Sequence, residues 1–150
     1  ENQIEELAKN RNGCRILLAE DNDLNAEIAM TILQEHGVQV ERAVNGEECV
    51  EMLKAQTADY YDAVLMDIQM PVMNGYDAAR AIRQLTTPHA AVSIIAMTAN
   101  AFEEDKQKAF AAGMDAYITK PVDVVSMMKT LHQIIETHRS DPDLSENKYL

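Results

Sequence analysis

The sequence predicts an α/β domain: a five-stranded parallel sheet in the order 2-1-3-4-5, with helices on both faces. Three observations lead there. Five short apolar runs alternate strictly with longer stretches of helical periodicity. Strands joined by helical crossovers of that length lie parallel and are covered on both faces. Right-handed crossovers leave few topologies, and five strands favour this one over the six-strand dinucleotide arrangement.

The elements follow in order. Arg15–Ala19 is a short apolar run. Leu24, Ile28, Ile32 and Leu33 then recur at helical spacing and stop at Gly37, a C-terminal cap. Val38–Val44 alternates as a short strand, and Glu47–Ala55 is helical with Val50 and Leu53 inward. Asp62–Met66 is a strand; Tyr76–Leu85 is a helix, with Gly75 starting it or freeing its turn. Val92–Met97 is the fourth strand. Asn100-Ala-Phe-Glu103 reads as a capping box for a helix that carries Phe102, Ala109 and Phe110 and ends at Gly113. Asp115–Ile118 is the last strand, and Val124, Val125, Met128, Leu131 and Ile135 mark the last helix. The domain spans 14–138, preceded by a linker or N-terminal extension over 1–13 and followed by a polar tail over 139–150.

Composition narrows the function. A chain of 150 residues suits one core. No apolar run approaches the roughly 20 residues of a membrane span. The first residues, ENQIEELAKN, lack the basic start and apolar stretch of a signal peptide. The chain starts at Glu1 rather than Met, so the expectation is a piece of something longer. Cys14 and Cys49 read as reduced thiols of a cytosolic protein, with no Cys-x-x-Cys between them. The net charge of -12 argues against direct contact with nucleic acid. The nine methionines read as core fillers. His36, His89, His132 and His138 fall near helix ends or loops, and none pairs with an acid at a strand end.

In an open α/β sheet, ligands bind beyond the carboxyl ends of the strands, where the strand order reverses. Glu20 and Asp21 follow the first strand, Asp67 the third, Thr98 the fourth, and Lys120, past Thr119, the fifth. The second strand ends in Arg42-Ala43 and contributes nothing comparable. Adjacent strands lie about 4.8 Å apart, so Asp21, Asp67 and Thr98 converge on one point, with Lys120 reaching in on its long stem. Acids clustered at a dry strand end repel one another unless neutralised. A hard divalent cation such as Mg2+ fits two or three carboxylates and waters.

The stretches LLAEDN, LMDIQMPVMNG, IIAMTAN and ITKPVD, in this order and spacing, resemble the receiver domain of two-component response regulators, which is CheY-like and flavodoxin-like in fold. The resemblance covers about Cys14 to His138 and is strongest to receivers carried on hybrid sensor histidine kinases. It implies that Asp67 is the phospho-acceptor and that Asp21 and Asp67 touch Mg2+, with Glu20 acting through water. It further implies that Gln69 lends its backbone carbonyl to the metal and that Thr98 and Tyr117 are switch residues. Lys120 matches the family's lysine, and the Lys120–Pro121 bond is cis in the family. Gln69 and Asn100 flank the path of a hydrolytic water and tune phosphate lifetime. Leu24, Asn25 and Ile28 form the docking patch for the phosphodonor.

The function so implied is a phosphorelay switch. Asp67 takes a phosphoryl group from a phosphohistidine, and the surface of the fourth helix, fifth strand and fifth helix repacks. The domain itself catalyses only its own phosphorylation and dephosphorylation. It is either a stand-alone receiver or part of a hybrid histidine kinase, a transferase. In the second case its partners are a kinase core or a histidine phosphotransfer domain. Its place is the cytoplasm, or the cytoplasmic part of a membrane-anchored kinase, with no contact of its own to nucleic acid or membrane. Two other readings stand beside this. One is a Mg2+-dependent phosphohydrolase with an aspartate nucleophile, which typically needs a second acid where this chain has Gln69. The other is a pseudo-receiver that never takes phosphate.

Overall fold

The computed structural model describes residues 14–100 and 102–140, of which 137–140 are described by backbone alone. The expected extension over 1–13 and the tail over 141–150 lie outside the described residues. The elements run β1 (Arg15–Ala19), α1 (Asp23–Glu35), β2 (Gln39–Ala43), α2 (Gly46–Lys54), β3 (Ala63–Asp67), α3 (Gly75–Arg83), β4 (Ile94–Thr98), α4 (Glu103–Ala111), β5 (Ala116–Thr119) and α5 (Val124–Ser140). A single turn of 3-10 helix at Pro88–Ala91, not foreseen from the sequence, leads into β4. The five strands pair in parallel in the order β2-β1-β3-β4-β5, as the alternation of runs predicts.

The strand residues alternate between two cores. Leu17, Val64, Met66, Ile94 and Ala96 pack with Leu53, Ala78 and Ile82 from α2 and α3. Ile16, Leu18, Leu65, Ile95 and Met97 pack with Leu33 of α1 and with Met127, Leu131 and Ile135 of α5. Every residue of β3 and β4 is buried, including the polar Asp67 and Thr98 at their ends. A fully buried Leu or Ile contributes about 1.5–3 kcal/mol, so these two layers hold the sheet. Several of the nine methionines (Met66, Met97, Met127 and Met128 among them) are core fillers, as expected. Cys14 and Cys49 are both buried and form no disulfide.

Helix starts correct the sequence reading. Asn22, Asn45 and Asn74 are the N-caps of α1, α2 and α3, each side chain accepting the amide three residues on. The capping box expected at Asn100–Glu103 does not form. Helix α4 begins after Phe102 with no side-chain cap, because Asn100 is tied by its backbone to the Thr98 hydroxyl instead. A reciprocal cap occurs at α2. Asn45 accepts from the Glu48 amide, and the Glu48 carboxylate accepts from the Val44 amide. His132 is also corrected, since it lies inside α5 rather than near a helix end.

Gly46 and Gly75 open α2 and α3 for a reason of space, not of φ. A Cβ on Gly75 would stand 2.4 Å from the Asp67 carbonyl oxygen, and one on Gly46 2.4 Å from that of Met73. The amide of Gly75 donates to Ile68, folding the loop after β3 back against the strand end.

Candidate functional site

The carboxyl ends of β1, β3, β4 and β5 open into a cleft of about 700 Å3. Glu20, Asp21, Asp67, Gln69, Thr98 and Lys120 all line it. Asp67 sits on its floor as the last residue of β3 and is only 5% exposed. The Lys120 ammonium lies 3.1 Å from Asp67 Oδ1 and 3.1 Å from Glu20 Oε1, bridging the two buried acids. Its reach across one intervening strand is what a long stem allows. The bond between Lys120 and Pro121 is cis, as the resemblance implied.

Three carboxylates meet here. Single oxygens of Glu20, Asp21 and Asp67 lie within 4.8 Å of one another, with Glu20 and Asp67 buried and Asp21 exposed. One ammonium cannot neutralise three acids. Burial pushes the Glu20 carboxyl above the usual carboxylate range, and the Asp67 carboxylate beside it pushes the same way. Burial acts to lower the Lys120 ammonium, but its bonds to Asp67 and Glu20 outweigh burial and hold it above its ordinary range. The remaining negative charge and the hard oxygen donors fit a divalent cation, and the cleft leaves room for the waters that Mg2+ keeps.

The hydroxyl side of the cleft is built differently. The Thr98 hydroxyl donates to the Asn100 carbonyl at 3.0 Å and accepts from the Asn100 amide at 3.1 Å, so it closes a small turn on its own loop. Tyr117, on β5, is half-buried; Phe110 meets its ring edge-on at 6.1 Å and the Lys106 ammonium lies 4.7 Å over it. Leu24, Asn25 and Ile28 are exposed on α1, with Leu24 at 66% and Ile28 at 47%. Asn25 and Ile28, but not Leu24, line a small groove of about 120 Å3 together with Pro121 and Val122.

Strand β2 contributes more than its sequence suggested. Arg42 donates from Nε to the Glu20 carbonyl at 3.0 Å and from Nη1 to Asp23 at 2.9 Å. The register Leu18↔Arg42 and Ala19↔Ala43 places it alongside the acidic pair. Only the pairing of β2 against β1 brings it there, so its neighbours in sequence gave no sign.

A sheet in this order with an acid cluster and a bridging lysine at its carboxyl edge invites comparison with known proteins. The family model of the response regulator receiver domain matches residues 16–132. The chain belongs to that family. Among curated relatives, hybrid signal transduction histidine kinase L of Dictyostelium discoideum is 39% identical over 112 residues, covering 72% of this chain and 6% of the relative. The peroxide stress-activated histidine kinase mak1 of Schizosaccharomyces pombe is 37% identical over 114 residues, 75% of this chain and 7% of the relative. The receiver thus spans less than a tenth of the length of these two relatives.

Solved structures agree in fold. The receiver domain of a Pseudomonas aeruginosa PAO1 sensor histidine kinase, with magnesium coordinated in its active site cleft, superposes with a TM-score of 0.75 at 36% identity. It covers 83% of this chain and 98% of that one. The receiver of Ssk1 from Saccharomyces cerevisiae, in complex with the histidine phosphotransfer protein Ypd1, superposes at 0.74 with 30% identity, covering 84% and 91%. No helix among the described residues is long and apolar enough to cross a membrane.

Proposed function

We propose that this receiver works within a hybrid histidine kinase phosphorelay, taking a phosphoryl group from a phosphohistidine onto Asp67. The observation that carries this is the buried carboxylate of Asp67, ion-paired to Lys120 at 3.1 Å at the foot of an acid-lined cleft. A carboxylate is a weak nucleophile and the incoming group is anionic, so the chemistry needs positive charge at the point of transfer. Lys120 supplies one such charge. Glu20, Asp21, Asp67 and the Gln69 backbone are the residues to hold Mg2+, which when bound spreads charge from the transferring oxygens.

In the transfer, an Asp67 oxygen forms a bond to phosphorus as the bond from phosphorus to the imidazole nitrogen breaks, and the electron pair leaves with the histidine. The Thr98 hydroxyl then has a stronger acceptor than the Asn100 carbonyl, and turning toward the phosphoryl group opens its present turn. Tyr117 follows into the space so freed, repacking the α4–β5–α5 surface. Gln69 and Asn100 flank the water path and set how long the acyl phosphate lasts. Leu24, Asn25 and Ile28 receive the phosphodonor, a kinase core or a histidine phosphotransfer domain. The domain, over 14–138, lies between a linker or N-terminal extension (1–13) and a polar tail (139–150); it sits in the cytoplasm, where it is able to form the cytoplasmic part of a membrane-anchored kinase, and itself touches neither nucleic acid nor membrane.

The test is intact-mass analysis after incubation with Mg2+ and acetyl phosphate. The native chain gains one phosphate, and Asp67→Asn gains none. Equal labelling of Asp67→Asn, or no labelling of the native chain, overturns the assignment. The hydrolase reading is disfavoured by Gln69, which stands where that chemistry typically needs a second acid, and turnover of simple phosphate monoesters would revive it; a pseudo-receiver is disfavoured by the complete acid, lysine and hydroxyl set.

A further inference from the structure

We infer that Arg42 is a positioning residue for the acidic loop: it fixes Asp21 for cation binding by holding the peptide group that joins Glu20 to Asp21. The inference rests on the cleft's role in binding a divalent cation, proposed above.

Little else holds Asp21. Among the described residues no hydrogen bond or ion pair braces its carboxylate, and the residue is exposed. Glu20 is different: its carboxylate accepts from Lys120 at 3.1 Å and from the Asn22 amide at 3.2 Å. Asp21 must therefore take its position from the backbone on either side. On the far side Asn22 caps α1. On the near side both peptide groups of Glu20 are anchored to the end of β2. Its amide donates to the Ala43 carbonyl at 3.1 Å, and its carbonyl accepts from Arg42 Nε at 3.0 Å.

A peptide group is planar, so holding the Glu20 carbonyl oxygen also holds the Asp21 nitrogen and Cα. Without Arg42 that plane can turn about the Glu20 Cα, and the Asp21 side chain turns with it. The other contact of Arg42 does not explain its placement. Asp23 is 93% exposed, and pairs of that kind add little. Meanwhile Arg42 Nη2 is buried with no partner among the described residues, an arrangement that costs stability. A residue kept there for packing alone gains nothing from that unsatisfied donor.

Two effects of Arg42 on a bound cation have opposite signs. Its positive charge near the acids opposes a second cation, so deleting the charge alone tightens Mg2+ binding. Its brace favours binding, so deleting the brace weakens it. Arg42→Ala removes both. Arg42→Gln removes the charge but keeps an N–H donor, because the glutamine amide nitrogen stands the same number of bonds from Cα as Arg Nε.

The experiment titrates the full chain and these two variants with MgCl2 by calorimetry, and reads the Glu20 carbonyl 13C shift in the metal-free proteins. Arg42→Ala is expected to weaken Mg2+ binding about tenfold, the low end of what outer partners of metal ligands contribute. Arg42→Gln, which loses the charge but keeps the brace, is expected to bind Mg2+ as tightly as the native chain or tighter, and the carbonyl shift to move in the Ala variant only. Unchanged or tighter binding by Arg42→Ala overturns the inference, as does a Gln variant as weak as the Ala variant. If the native chain binds no Mg2+, the cation-binding reading falls instead, and the carbonyl shift still decides whether the brace exists.

Discussion

The two sides of the cleft are held in opposite ways. On the acidic side, α1 starts from a capping asparagine, Glu20 is bonded through backbone and side chain, and the floor of the cleft is packed against Gly75. On the hydroxyl side, α4 starts from an exposed Phe102 with no side-chain cap, and Ala109 is the sole buried residue in that helix. Among the described residues the Thr98 hydroxyl bonds only within its own loop. The difference teaches where motion is affordable. On the function proposed above, the buried acids of the cleft are tied down before a cation or phosphoryl group arrives, and the element that responds is drawn from the less stable end of the structure.

The largest way to break this contrast is Gly75→Ala. Its Cβ would stand 2.4 Å from the Asp67 carbonyl oxygen and 2.9 Å from the Ile68 Cα, both backbone atoms that cannot step aside. We expect a loss of about 1–3 kcal/mol in urea unfolding, the usual range for forced overpacking. Labelling of Asp67 by acetyl phosphate should slow as well. A change of less than about 0.5 kcal/mol would mean the loop after β3 is free to shift, contrary to the rigid floor described here.

A smaller effect comes from moving the caps. Asn22→Ala should cost about 1 kcal/mol, because its side chain satisfies the Asn25 amide. Phe102→Ser should do the reverse by giving α4 the acceptor it lacks, adding about 0.5 kcal/mol. Hydrogen exchange should then slow in the first turn of α4 and remain unchanged in α1. If α4 amides are already as protected as those of α1 in the native chain, the asymmetry is not real.

The smallest effect is at α5. The Asp123 carboxylate accepts from the Ser126 amide at 2.8 Å and the Ser126 hydroxyl at 3.0 Å, and the backbone bond is the main reason its pKa is lowered below 3.8. A lowered folded-state value means the bond contributes fully above 3.8 and is lost as pH falls through the folded value. Below that, native and Asp123→Ala chains should converge in thermal stability, while at neutral pH the native chain is the more stable. A constant gap across that window would remove the carboxylate from the account.

Much of this was legible along the chain, and particular residues show why. Strict alternation of apolar runs reports a parallel sheet because each crossover must be long and each strand buried twice; the observed order follows. The strand-end residues Asp67, Thr98 and Lys120 could be picked out because ligands collect at that edge whatever the details of packing. Asn100–Glu103 matched a capping box on paper, yet a local turn bound the Asn100 backbone to Thr98 and the helix began later. Arg42 lay outside any motif, since its partner is a backbone carbonyl just past the end of β1, 22 residues away.

By itself, then, the sequence determined the fold class, the strand order and the edge of the sheet where chemistry collects. These depend on periodicity and connection length, which are local quantities. Only the tertiary structure decided that Lys120 bridges Glu20 and Asp67, that Gly75 packs on the Asp67 backbone, and that Arg42 reaches the acidic loop. Lys120 and Arg42 meet partners far away in sequence, which the pairing of strands brings near, and Gly75 meets Asp67 because the loop after β3 folds back on the strand end.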